Sequence, residues 1–288
     1  MKAKPDCIAC MFKQALNTAR VVTDDPAVHL EILRRTGKWL AELSLDDTPA
    51  GLSQPAYEII AEVTGNSDPY YELKKETNRA ALAMLDDIRE LADNSGDPLD
   101  AAMHAAVAGN VIDLGIGHKF DIEKDVKSMM KQDFAINALD DFKGELGKGK
   151  KLLYLGDNAG EIVFDRLLAG HILKTGTDVT FTVKSGPIIN DATREDAETA
   201  GLTAIVRVIE TGAADIGVNW NNVSPTFTRA VRDADLILAK GHGNFETCSD
   251  RPENFYFLLK AKCDMVAREI GCKLGDLVLR HSPRGQTP

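Results

Sequence analysis

At 288 residues the chain can form one large domain or two modest ones around a substantial core, and 44% hydrophobic with 27% charged residues is a globular composition. A formal net charge of −10 argues against nucleic acid or an anionic membrane as partners, so an anionic ligand would need a local metal, a few lysines or helix N-termini to attract it. No apolar run approaches the ~20 residues of a membrane span, no signal-like stretch follows "MKAKPDCIAC", and an odd number of cysteines fits a reducing, cytoplasmic setting better than a disulfide framework.

Residues 5 to about 145 read as helices, with no strand expected among them. Asp25-Pro26, Asp68-Pro69 and Asp97-Pro98 each place a capping acid before a proline, the preferred opening of a helix. Between them, segments such as "YELKKETNRAALAMLDDIRELA" keep apolar residues at helical spacing.

The pattern changes after the Gly/Lys-rich joint at 143–151. Short β-rich runs stand at 151–155, 178–184, 204–210 and 235–239, and helical stretches at 160–174, 191–200 and 225–233 separate them. Strand and helix in alternation imply βαβ crossovers and a parallel sheet covered on both faces. A last helix is expected over about 252–271, before a loose polar tail. The expected organisation is a helical domain over 1–145, an α/β domain over 146–280 whose last helix could pack back on the first, and a flexible tail over 281–288.

In an open parallel sheet, ligands bind beyond the carboxyl ends of the strands. The residues that follow the four expected strands are therefore informative. They are Gly156, Asp157 and Asn158; then Lys184, Asn190 and Asp191; then Glu210, Thr211 and Gly212; then Lys240, His242, Asn244 and Glu246. Singly, each has an ordinary reading as a helix cap, a solvated lysine or a loop residue. Together they read as a site. Two carboxylates with an amide oxygen form a hard, oxygen-only ligand set suited to Mg²⁺ or Mn²⁺, and lysines beside such an ion suit a phosphorylated substrate.

The blocks "GDNAGE", "VKSGPIINDAT" and "AKGHGNFE" closely resemble the signatures of the metal-dependent damage-control phosphatases, the family of acidic-residue-methyltransferase-like domains. The resemblance extends to "PDCIAC", "AAVAGNVIDLG" and "LLKAKCDMVA", and so to nearly the whole chain, with the CxxC pointing to the prokaryotic branch. It implies a Rossmann-like αβα sandwich with a mainly parallel sheet, preceded by a helical region. It also implies a divalent metal, Mg²⁺ or Mn²⁺ first and Co²⁺ or Ni²⁺ next, held by Asp157, Asn158 and Asp191. The implied reaction is hydrolysis of small phosphorylated metabolites, such as sugar phosphates. Lys240 would hold the phosphate, with Lys184, Asn190, Asn244 and Glu246 nearby. Asn110 and Asp113 match a polar block that either lines the substrate side or simply ends a helix. The attacking group is either water on the metal or the Asp157 carboxylate.

Cys7 and Cys10 lie three residues apart and share a helix face. With Cys263 they form either a soft-metal or structural thiol site, expected to be separate from the hydrolytic centre, or a set of buried inert thiols. Cys248 and Cys272 read as core residues. Two other functions use the same crevice: S-adenosylmethionine-dependent carboxyl methyl transfer, and non-enzymatic binding of a metal or phosphometabolite. Methyl transfer is disfavoured because the first strand lacks a glycine-rich turn and the second ends in Lys184, where an acid for the ribose is expected. Oligomeric state has no signature in the sequence.

Overall fold

The structure, a computed structural model, describes residues 1–109, 128 and 130–285. Five helices come first: α1 (Pro5–Val22), α2 (Pro26–Ala41), α3 (Pro49–Thr64), α4 (Tyr71–Asp93) and α5 (Pro98–Ala108). Asp25 and Asp97 cap as the sequence suggests, accepting from the backbone N–H of Ala27 and Asp100. Asp68 does not. The helix there begins at Tyr71, and Asp68 instead takes the Lys74 ammonium at 2.9 Å.

The remaining elements are β1 (Phe134–Asn137), α6 (Leu139–Glu145), β2 (Lys151–Leu155), α7 (Glu161–Lys174), β3 (Asp178–Val183), α8 (Arg194–Thr199), β4 (Arg207–Glu210), α9 (Pro225–Asp233), β5 (Leu236–Lys240), α10 (Gly241–Cys248), β6 (Phe255–Lys260), α11 (Asp264–Ile270) and β7 (Leu277–Ser282). The strands form one seven-stranded sheet in the order β1-β7-β6-β5-β2-β3-β4. Neighbours pair in parallel, except that β6 and β7 are antiparallel. This is the expected α/β class with a mostly parallel sheet behind a helical N-terminal region.

Side chains alternate between two cores, as the strand period of two requires. Leu152, Tyr154, Phe181, Leu238 and Leu258 join one core with residues of α4, α5 and α7. Leu153, Leu155, Ile237, Phe257 and Leu259 join the other, with residues of α9, α10 and α11. Residues of α1, α2 and α3 make smaller apolar clusters of their own.

Three expectations need correction. The sheet gains a strand, β1, from the half read as purely helical; at four residues it is too short to show a period. The helix expected over 252–271 is instead β6 followed by the short α11. The run "FYFLLK" is buried on both faces of the sheet, so it lacks the alternation that marks a half-exposed strand. Its pairing with β5 and β7 settles it as a strand. The tail expected to be loose from 281 starts inside β7, which runs to Ser282.

Phe257 is 1% exposed, stacked on Phe255 and edge-on to Phe245, with both ring pairs 5.2 Å apart. Phe257→Ala should cost about 3–5 kcal/mol in urea unfolding. A loss under about 1 kcal/mol would be at odds with a central, doubly buried β6.

Candidate active site

Chain order creates the crevice. From β2 the sheet grows one way through β3 and β4, then returns to place β5 on the other side of β2. The loops after β2 and β5 therefore diverge to opposite faces, which is where open α/β sheets bind ligands. Asp157 and Asn158 follow β2, and Gly241 follows β5. Gly241 has φ +78°, and a Cβ there would lie 1.9 Å from Asp157 Oδ2. Only glycine lets the two loops approach this closely.

The loop after β3 locks onto the same place. The Ala192 N–H donates to the Asp157 carbonyl at 2.8 Å, the Ala159 N–H donates to the Asn190 carbonyl at 2.8 Å, and Asn158 bridges with Asp191. Within this loop Ile189 has φ 45°, a left-handed backbone for a β-branched residue. Such strain persists only where surrounding bonds over-determine it. From the other side, Asn78 of α4 accepts from the Gly160 N–H at 2.6 Å and donates to Asp196 Oδ1 at 2.7 Å, tying the loop after β2 and the first turn of α8 to one helix.

The carboxylates meet under unfavourable electrostatics. Burial first, then the negative charges of Glu161 and Asp191, push the Asp157 carboxyl well above its ordinary range. Burial raises Asp191 to about 6, although Lys184 at 3.5 Å opposes the shift. The Asn158 amide donates to Asp157 Oδ2 at 3.1 Å. Among the described residues no three His, Cys, Asp or Glu side chains are grouped to hold a metal. A metal here would therefore take its third protein ligand from Asn158. Two crowded, buried carboxylates beside an amide fit a hard divalent cation, whose charge would replace their mutual repulsion.

A cavity of about 500 Å³ lies over this floor. Asp157, Asn158, Asn190, Asp191 and Glu246 line it, as do Gln14 and Tyr57 from the helical region. The Tyr57 hydroxyl donates to Gln14 Oε1 at 3.1 Å, and Thr18 and Tyr70 share a hydrogen bond of 2.9 Å, so this part of the wall is polar and uncharged, with the Asp6 carboxylate of α1 beside it. Burial raises Glu246 to about 7, against the opposing hydrogen bond from the Ala50 backbone. His242 is pushed down to about 4 by burial and by Lys262, and its Nε2 lies 2.9 Å from the Lys260 carbonyl oxygen and 3.0 Å from the Lys262 backbone nitrogen.

Cys7, Cys10 and Cys263 line the same cavity, not a separate region as the sequence had suggested. Burial holds the Cys7 and Cys10 thiols above their ordinary range, and the Gln14 amide on Cys10 Sγ only partly offsets this. Cys248 is buried in the core, its thiol pushed up to about 12, while Cys272 is half-buried beside that core.

Three expected site residues do not line the cavity. Asn244 donates to the carbonyls of Gly156 at 3.1 Å and Lys240 at 2.8 Å, bracing the strand ends. Lys184 donates to the Gly217 carbonyl beside its ion pair with Asp191. Lys240 is fully buried, and its ammonium contacts Glu161, Asp165 at 2.8 Å and the Ala106 carbonyl at 2.8 Å. These partners raise its pKa against the opposing effect of burial. Asn110 and Asp113 lie outside the described residues. Sequence reasoning missed Glu161 and Asp165 as partners of Lys240. Their four-residue spacing on the largely apolar stretch "EIVFDRLLAGHIL" is the signal that could have found them.

Lys240→Ala should leave two buried carboxylates without their cation and destabilise the fold by about 3–5 kcal/mol in urea unfolding. A full-strength fold with a raised KM would instead mean that the lysine faces substrate. Gly241→Ala should weaken metal binding, read by titrating metal-stripped protein, because the new methyl displaces the Asp157 carboxylate. Unchanged affinity would remove Asp157 from the ligand set.

The description "Damage-control phosphatase ARMT1-like domain" matches residues 3–278. Damage-control phosphatase PH1575 of Pyrococcus horikoshii is 35% identical over 282 residues, covering 96% of this chain and 97% of the relative. A damage-control phosphatase of Archaeoglobus fulgidus is 36% identical over 288 residues, covering 97% and 99%. The crystal structure of a DUF89 family protein from P. horikoshii superposes with a TM-score of 0.90 at 34% identity, covering 98% of this chain and 99% of that one. With the fold and nearly the full length in agreement, the chain belongs to the damage-control phosphatase ARMT1-like family.

Proposed function

We propose that the chain hydrolyses phosphate monoesters of small, damaged or misplaced metabolites with the help of a divalent cation, Mg²⁺ or Mn²⁺ by preference. One observation supports this most: the β2/β5 switch point gathers Asp157, Asn158 and Asp191 at the floor of a cavity of about 500 Å³, large enough for a sugar phosphate. The relatives, named damage-control phosphatases, point to the same chemistry.

In this reading Asp157, Asn158 and Asp191 hold the cation. When bound, it neutralises phosphoryl oxygens as the P–O bond breaks. The chain itself fixes the geometry. The Ala192–Asp157 and Ala159–Asn190 backbone bonds keep the two ligand loops in register, and Gly241 keeps Asp157 in place. Glu246, raised to about 7, is the cavity carboxyl able to give or take a proton near neutrality. The uncharged wall of Gln14, Tyr57, Thr18 and Tyr70 suits a hydroxyl-rich organic moiety. Methyl transfer finds less support, because Lys184 at the end of β3 pairs with Asp191 where a ribose-binding acid is needed.

Metal-stripped protein should release no phosphate from a panel of sugar phosphates, and Mg²⁺ or Mn²⁺ should restore release, with Co²⁺ and Ni²⁺ as further trials. Asp157→Asn and Asp191→Asn should each lower kcat/KM by about a thousandfold or more while the urea midpoint stays near that of the parent. Hydrolysis that survives chelation and both substitutions would refute the proposal. Metal-dependent phosphate binding without turnover would leave a binding protein.

A further inference from the structure

Of the three side chains proposed to hold the cation, Asn158 is the one whose two ends differ. Its oxygen can ligate a cation and its NH₂ group cannot, so the site works only with the amide turned one way. Which way it turns is decided by the groups around its nitrogen. Asn158 Nδ2 lies 3.1 Å from Asp157 Oδ2 and 3.5 Å from Glu161 Oε2. Carboxylate oxygens accept hydrogen bonds, so the nitrogen belongs on their side and the oxygen is the end left for a cation. Asp157 cannot fix the amide by itself, because in the same reading it is a ligand.

Glu161 has the anchorage that Asp157 lacks. It is the first residue of α7, it is fully buried, and its Oε1 takes the Lys240 ammonium. Lys240 is held in turn by Asp165 and the Ala106 carbonyl, each at 2.8 Å. One oxygen of Glu161 is thus committed to a buried cation, and the other is presented to Asn158. We infer that Glu161 is a positioning residue, which orients the Asn158 amide with its oxygen toward the cation. The inference rests on the metal-ligand reading above, but not on hydrolysis. It gives the buried Lys240 cluster a consequence for the site. In Glu161→Gln the Lys240 ammonium would claim the oxygen of the new amide and leave its NH₂ facing Asn158 Nδ2. Two donors would then oppose each other, and Asn158 would relieve this by turning its own oxygen inward, away from the cation.

The test is calorimetric titration of metal-stripped protein with Mn²⁺, run on the parent, Glu161→Gln, Asn158→Ala and the double variant. Glu161→Gln should weaken Mn²⁺ binding about tenfold to a hundredfold, the usual consequence of removing a group that orients a metal ligand. In the Asn158→Ala background the same substitution should change the affinity by about twofold or less, because the amide through which Glu161 acts is already gone. Unchanged binding in Glu161→Gln, or a loss repeated in full on Asn158→Ala, would overturn the inference; the second result would mean that Glu161 acts by its charge or by supporting the fold. If urea unfolding shows that Glu161→Gln does not fold, Glu161→Asp takes its place. That variant keeps a carboxylate for Lys240 but withdraws it from Asn158, so weaker Mn²⁺ binding upholds the inference and equal binding overturns it. A parent that binds Mn²⁺ but hydrolyses no ester loses the phosphatase proposal alone, and the titrations still decide Glu161. A parent that binds no divalent cation overturns both.

Discussion

Beneath the floor of the cavity, the ammonium of Lys240 is buried between Glu161 and Asp165 of α7 and the Ala106 carbonyl of α5. Removing one ammonium and two carboxylates from water is costly, and only close mutual contact offsets that cost. The Tyr154 hydroxyl donates to Asp165 Oδ1 at 2.6 Å, bringing β2 into the same cluster. Asp165 Oδ2 nevertheless remains buried without a hydrogen-bond partner among the described residues, and burial raises this carboxyl to about 6. The cluster thus ties α5, α7, β2 and β5 to one point under the strand ends. The loops that begin at Gly156 and Gly241 start from a fixed base.

Those loops can crowd carboxylates because their backbones are already committed. The β2 and β3 loops exchange backbone hydrogen bonds, Asn78 ties the β2 loop and α8 to α4, and Gly241 admits Asp157 where any side chain would collide. The resulting repulsion appears in the raised proton affinity of Asp157 and Asp191. Like charges held together by backbone constraint repel one another, and a bound cation would relieve that repulsion.

The helical region gives the cavity its far wall. Asp6, Cys7, Cys10 and Gln14 of α1 and Tyr57 of α3 face the strand-end loops across it. Besides Asp6, this wall offers thiol, amide and hydroxyl groups, in contrast to the carboxylate-rich floor. No described helix is long and apolar enough to cross a membrane.

The alternation of apolar runs and helical spacings over 151–240 was enough to place β2 to β5 and the helices between them, because a period of two or 3.6 is written locally. Strand-end position likewise made Asp157, Asn158 and Asp191 legible, since the carboxyl ends of a parallel sheet form one edge whatever the details of packing. β6 was not legible: burial on both faces erases the alternation, and only pairing with β5 and β7 distinguishes it from a helix. Reading that stretch as a helix also concealed that β6 ends at Lys260, on the same edge of the sheet as Asp157 and Gly241. The roles of the lysines were tertiary for the same reason. A strand-end position says that Lys240 lies near the site, but whether its ammonium points to solvent, substrate or a buried carboxylate depends on Glu161 and Asp165, far away in the chain and brought under it by the α7 crossover.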